Sequence, residues 1–136
     1  MAQYSSIDKV EIRKLYYRSG ALMIETPYEN GNVHGIKRYY YESGALWYEA
    51  PYVNGETHGV RKEYYESGAL EWETPYVNGK RHGKLRSYYE TGALHWEVPY
   101  VDGGMHGIER RYDKEKMNIY RLALYDKDRK VVSIKI

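Results

Sequence analysis

Between its glycine-containing turns the chain alternates side chains with a period of two. On one parity fall Leu22, Ile24 and Tyr28, then Leu46, Tyr48 and Tyr52, Leu70, Trp72 and Tyr76, and Leu94, Trp96 and Val98. That alternation predicts short β-strands, because residues two apart in a strand share a face, and it makes this parity the core candidate. Tyr17, Tyr41, Tyr65 and Tyr89, on the returning segments, are expected to join it, each near the leucine after its turn. The other parity repeats Glu25, Glu49, Glu73 and Glu97 opposite Arg38, Lys62, Arg86 and Arg110. This predicts a ladder of cross-strand ion pairs, worth about 0.2–1 kcal/mol each and serving register and solubility more than stability. No segment shows helical periodicity.

The alternation is part of an internal repeat. Ser19-Gly20-Ala21-Leu22 recurs as Ser43-Gly44-Ala45-Leu46, Ser67-Gly68-Ala69-Leu70 and Thr91-Gly92-Ala93-Leu94, 24 residues apart each time. Pro27-Tyr28, Asn30-Gly31 and His34-Gly35 recur in the same register without insertion or deletion. Asn-Gly supplies the positive φ that a hairpin turn requires, and Ser-Gly or Thr-Gly marks the next reversal. The second glycine, after each histidine, is expected to close the loop as a bulge, the whole being too long for a two-residue turn. The proline limits pairing of the first strand at one point. These features predict an all-β fold: an elongated single-sheet solenoid of antiparallel β-hairpin repeats.

The expected organisation is one domain over residues 1–136. Within it, 8–17 form an N-terminal half-repeat cap, 18–113 four full repeats, and 114–136 a degenerate C-terminal cap hairpin. About eleven strands spaced about 4.8 Å apart would make a sheet about 50 Å long. Lys9, Arg13, Lys14, Lys130 and Lys135 would make the two end edges less prone to recruit another chain.

Composition narrows the function classes. The 21 Lys and Arg residues nearly balance 19 Asp and Glu, and the signs alternate along the chain. No strong field therefore favours nucleic acid or an anionic membrane. Cysteine is absent, which removes disulfides, thiolate metal sites and a cysteine nucleophile. The 18 Tyr and three Trp, with no Phe, suit a thin structure whose aromatic positions stay partly wet. Met1 to Lys14 contains no apolar stretch resembling a leader, and no run of apolar residues is long enough to cross a membrane, so a cytoplasmic protein is expected.

The motifs Tyr-Tyr-x-Ser-Gly-Ala-Leu, Pro-Tyr-x-Asn-Gly and x-x-His-Gly resemble the membrane occupation and recognition nexus (MORN) repeat. They look most like its bacterial variant, found in proteins described as antitoxins. The resemblance spans about Tyr16 to Tyr112 and implies β-hairpin repeats in an extended, twisted sheet. It implies roles in protein binding, scaffolding or phospholipid contact, and for the antitoxin-like members the silencing of another protein.

Candidate chemistry is sparse. His34, His58, His82 and His106 sit about 10 Å from one another if units are two strands apart, too far to share a metal ion. Each is expected to hydrogen-bond its own turn. The recurring glutamates have no partner in an unlike environment, no Ser-His-Asp set can be argued, and phosphate-binding and nucleophile-elbow motifs are lacking. No cofactor is implied.

The informative positions are those where the units differ, because a site without structural duty is where a specific partner can be read. One such row, expected on the polar face, holds Met23, Trp47, Glu71 and His95. With the adjoining Tyr40, Tyr64, Tyr88, Arg38 and Arg86 it has the aromatic and arginine content of interface hot spots. A tolerant solvated surface explains the same variation. The function expected is a non-enzymatic protein-binding module of an antitoxin-like or inhibitory kind. The alternatives are a carbohydrate or cell-wall binder using regularly spaced aromatics and a phospholipid-associated scaffold. Self-association is open.

Overall fold

The structure, a computed structural model, describes residues 7–136. Residues 1–6, which open the expected domain and the expected leaderless stretch, lie outside the described residues. Among the described residues fifteen strands form one antiparallel sheet. They are β1 Val10–Tyr16, β2 Leu22–Glu29, β3 Asn32–Val33, β4 Gly35–Tyr40, β5 Leu46–Val53, β6 Glu56–Thr57, β7 Gly59–Tyr64 and β8 Leu70–Val77. β9 Lys80–Arg81, β10 Gly83–Tyr88, β11 Leu94–Val101, β12 Gly104–Met105, β13 Gly107–Tyr112, β14 Ile119–Asp126 and β15 Arg129–Lys135 complete it. Eleven lie side by side in chain order, and the two-residue strands β3, β6, β9 and β12 only extend the hairpin on β2, β5, β8 and β11. Among the described residues no helix is long and apolar enough to cross a membrane.

The turns follow from the glycine pattern with one correction. Asn30 and Gly31 both take positive φ, and Glu29 pairs directly with Asn32, so each Asn-Gly is a two-residue turn after all. The extra length is absorbed further along, where the amide of His34 donates to the carbonyl of Pro27 and Gly35 is forced to positive φ. Proline and second glycine thus belong to one device.

A second irregularity decides the faces. Tyr39 pairs with Tyr48 and Tyr40 with Leu46, leaving Trp47 unpaired in a β-bulge, and every full unit repeats this shift. Leu46 shares the face of Tyr40, opposite to that of Tyr48. Leu22, Leu46, Leu70 and Leu94 therefore leave the face on which strict alternation places them, a correction whose cause is the bulge.

Two different faces result. The first, the aromatic face, carries a central row of small side chains, Thr26, Ala50, Thr74 and Val98, all buried. Ile24, Tyr48, Trp72 and Trp96 flank it on one side and tyrosines 28, 52, 76 and 100 on the other. The best-packed part is Leu85, Val98 and Tyr100 with Trp72 and Trp96, whose rings meet edge to face at 5.6 Å. Elsewhere cationic side chains provide cover, with the guanidinium of Arg61 4.5 Å from the centre of the Tyr48 ring. The chain exposes 9195 Å² of surface at 16.1 kDa, against about 7,400 Å² for a compact monomer of that mass, as a sheet one layer thick must.

The second, the ladder face, carries an unbroken alternation of charge across nine strands. Lys14, Glu25, Arg38, Glu49, Lys62, Glu73, Arg86, Glu97 and Arg110 are successive register partners. The expected pairs are all in register, but the close ones lie mostly between units: Arg38 to Glu49 at 3.6 Å and Arg86 to Glu97 at 2.8 Å, with Arg110 to Glu97 at 3.5 Å.

Units are also tied by side-chain-to-backbone bonds that skip ahead one repeat. The hydroxyls of Tyr17, Tyr41, Tyr65 and Tyr89 donate to the carbonyls of Tyr40, Tyr64, Tyr88 and Tyr112 at 2.7–2.9 Å. On the opposite margin, Nδ1 of His34 and His58 accepts the amides of Asn54 and Asn78, and that of His82 accepts Asp102, at 3.3–3.4 Å. Each of these histidines thus holds the next unit's turn rather than its own. Tyr65→Phe is expected to lower stability by about 1 kcal/mol, the net worth of one such bond, in urea unfolding. An unchanged midpoint would show the tyrosine row to be packing alone.

The N-terminal end repeats the interior register. β1 pairs with β2 as the second strand of a unit does with the next, and β14–β15 close the far side with a two-residue turn at Lys127 and Asp128, both at positive φ.

Candidate functional site

The bulge positions a surface row that strict alternation misplaces. Because Trp47 is the extra residue, its side chain swings to the aromatic face, where its ring lies 6.1 Å from Tyr39, 6.0 Å from Tyr41 and 6.5 Å from Tyr48. His95 does the same two units on, with its ring 4.3 Å from Tyr89 and Nδ1 3.4 Å from Ser87 Oγ. Glu71 is the unpaired bulge residue of the unit between them, since Tyr64 pairs with Leu70 and Glu63 with Trp72. The expectation of a polar-face row is therefore corrected: Met23, Trp47, Glu71 and His95 occupy the bulge on the aromatic face, interleaved with the tyrosines that staple the units.

The other residues assigned to the surface stay on the ladder face. Arg38 and Arg86 belong to the charge ladder. Tyr40, Tyr64 and Tyr88 lie beside it, donating to Glu25 at 3.4 Å, Glu49 at 3.0 Å and Glu73 at 2.8 Å. Burial, reinforced by the carboxylate that each hydroxyl touches, pushes Tyr64 and Tyr88 up to about 12. The structure brings together the four bulge residues, and separately the three tyrosines and two arginines, on opposite sides of one layer.

Alternation alone also overlooked neighbours that complete the varied row. Tyr39, Glu63, Ser87 and Arg111 pair across from Tyr48, Trp72 and Trp96 and so share its face. The signal was present, since these positions differ from unit to unit as much as the bulge does. With them the aromatic face changes along its length. Near the N-terminal end it is a cluster of Tyr39, Tyr41, Trp47 and Tyr48 with Trp47 42% exposed. In the middle it holds Glu71 and Glu63, the latter paired with Arg61 at 2.8 Å. Towards the C-terminal end it holds His95 and Arg111.

Burial first, then the nearby Arg111 cation, lowers the pKa of the His95 imidazole and favours its neutral form. Ser87 is itself buried. Among the described residues no group of three or more His, Cys, Asp or Glu is placed to hold a metal ion.

A family model described as MORN repeat variant matches four segments of the chain, residues 12–30, 33–54, 57–78 and 81–102. No curated protein matches it.

Proposed function

This chain belongs to the MORN repeat variant family, and we propose that it is a non-enzymatic protein-binding module that reads its partner with the varied row of the aromatic face. Repeats of this family suggest a binding or scaffold module. The observation that carries the finer reading is the distribution of difference between units. On the ladder face the repeat keeps leucine, tyrosine, glutamate, a cation and proline nearly constant, whereas on the aromatic face it presents Met23, Trp47, Glu71 and His95 in turn. A constant row cannot tell one partner from another, while a row whose side chain changes from unit to unit can do so by charge and shape. The exposed Trp47 among three tyrosines supplies the anchor, because large rings contribute most at the centre of interfaces. Inhibition of the antitoxin-like kind needs nothing beyond occupancy of the partner's surface.

Affinity capture from a lysate of the native organism tests this. Wild type is expected to retain one protein at near-equal stoichiometry, and Trp47→Ala to weaken its binding at least about tenfold. His95→Ala should weaken it in the same direction. If both variants fold and retain the same proteins as wild type, the assignment of the row is wrong.

A further inference from the structure

The hairpin turns share one backbone geometry but are held by different bonds. Asn30, Asn54 and Asn78 each precede a glycine, the sequence in which a main-chain nitrogen reaches the preceding carboxamide most easily, because no Cβ hinders it. At the second and third turns that nitrogen is engaged. Gly55 N–H donates to the Val33 carbonyl at 2.8 Å, and Gly79 N–H to that of Thr57 at 2.9 Å. At the first turn the amide of Asn30 donates to the Lys9 carbonyl at 3.0 Å, and Gly31 N–H has no partner among the described residues. The Asn30 side chain is held on both atoms: Lys9 N–H donates to its Oδ1 at 3.1 Å, and its Nδ2 donates to Asp8 Oδ1 at 3.0 Å.

We propose that Asn30-Gly31 is a self-modifying site. Its carboxamide converts to a carboxylate without an enzyme, ahead of Asn54 and Asn78, and the new charge frees Asp8 and Lys9 from the first turn. Gly31 N attacks Asn30 Cγ, forming an N–C bond as the Cγ–Nδ2 bond breaks. The side-chain nitrogen leaves as ammonia with the proton that Gly31 N gives up, and a cyclic imide remains. Water then adds to either imide carbonyl and opens the ring, giving aspartate or isoaspartate at position 30. The Lys9 N–H on Oδ1 lies where negative charge gathers as Cγ becomes tetrahedral, which favours the attack. The same attack at Asn54 or Asn78 must first break the bond that ties the glycine amide to the preceding unit.

The consequence follows from Asp8. A carboxylate at position 30 meets Asp8 Oδ1 where an N–H donor stood at 3.0 Å, so an attraction becomes a repulsion. The turn itself accepts aspartate, since Asp102 at the fourth turn has φ 48 against 49 for Asn30. There the carboxylate lies 3.5 Å from Nδ1 of His82 instead of against a second carboxylate. For the aspartate product the loss is therefore one of charge at the start of β1, not of hairpin geometry.

Incubating the folded chain at mildly alkaline pH and mapping its peptides by mass spectrometry tests the site. The Asn30 peptide is expected to show the mass gain of amide-to-acid conversion about tenfold faster than the Asn54 and Asn78 peptides, the factor held in one backbone hydrogen bond. In urea the three should convert at similar rates. Equal rates in the folded chain, or a lead for Asn30 that persists unchanged in urea, overturns the proposal. Hydrogen exchange on Asn30→Asp reads the release. The amides of Lys9 and residue 30 should exchange about tenfold faster than in wild type, the factor that two like unit charges at that separation amount to in water. Adding Asp8→Asn sets a donor against the new carboxylate and should restore the protection. Unchanged exchange in Asn30→Asp, or no recovery in the double variant, overturns the release.

Discussion

Gly59→Ala is expected to lower stability by about 2–4 kcal/mol, the sum of backbone strain and overpacking. Gly59 has φ +117, where L-residues are strained, and a Cβ built there would lie 2.8 Å from Cγ of Pro51. Neither group yields easily. The proline ring is fixed in β5, and the glycine backbone is held by the hydrogen bond from His58 to the Pro51 carbonyl. Gly68 supplies the control, with φ +90 and nothing within 4 Å of the added carbon. Gly68→Ala should therefore show the strain alone, about 1–2 kcal/mol. Adding Pro51→Ala to Gly59→Ala should recover part of the difference in urea unfolding. Equal losses at the two glycines, with no recovery in the double variant, would show that the proline contact is energetically silent.

The second large effect is electrostatic. Glu97 is 7% exposed, and Lys84, Arg86 and Arg110 lie 3.4, 2.8 and 3.5 Å from its carboxylate. The cover comes from those side chains rather than from depth. Burial opposes the charge, but the hydrogen bonds and charges of Arg86 and Lys84 outweigh it and hold the carboxyl below its ordinary value of 4.5. A carboxyl whose folded pKa is depressed stabilises the fold above its unfolded value and loses that contribution as pH falls through the folded one. Glu97→Gln is accordingly expected to cost about 2 kcal/mol at neutral pH, the scale of a hydrogen bond to a charged group. The wild-type and variant stability curves should converge below pH 4.5. A gap of the same size at acid pH would assign the effect to packing.

Much of this was legible because each repeat states its own register. Asn30-Gly31 and its copies fixed the hairpin turns, and the spacing of Glu25 and Arg38 fixed the ladder, since both depend on residues close in the chain. The histidines and stapling tyrosines were legible only as constants. Their partners lie 20 and 23 residues on, in the next unit, and nothing local distinguishes a bond to the next turn from one to the residue's own. The candidate site was found as a list of varied positions and then placed on the wrong face.

The chain's own pattern determined the repeat, the strands, the reversals and the pairing of charge, because those follow from backbone dihedral preference and alternation along short segments. The tertiary structure decided which face each varied residue occupies. Alternation sorts side chains only while one residue faces one, and the bulge at Trp47 sets two residues against one without a glycine to announce it. That single unpaired residue, repeated in every unit, turns Met23, Trp47, Glu71 and His95 towards the aromatic face.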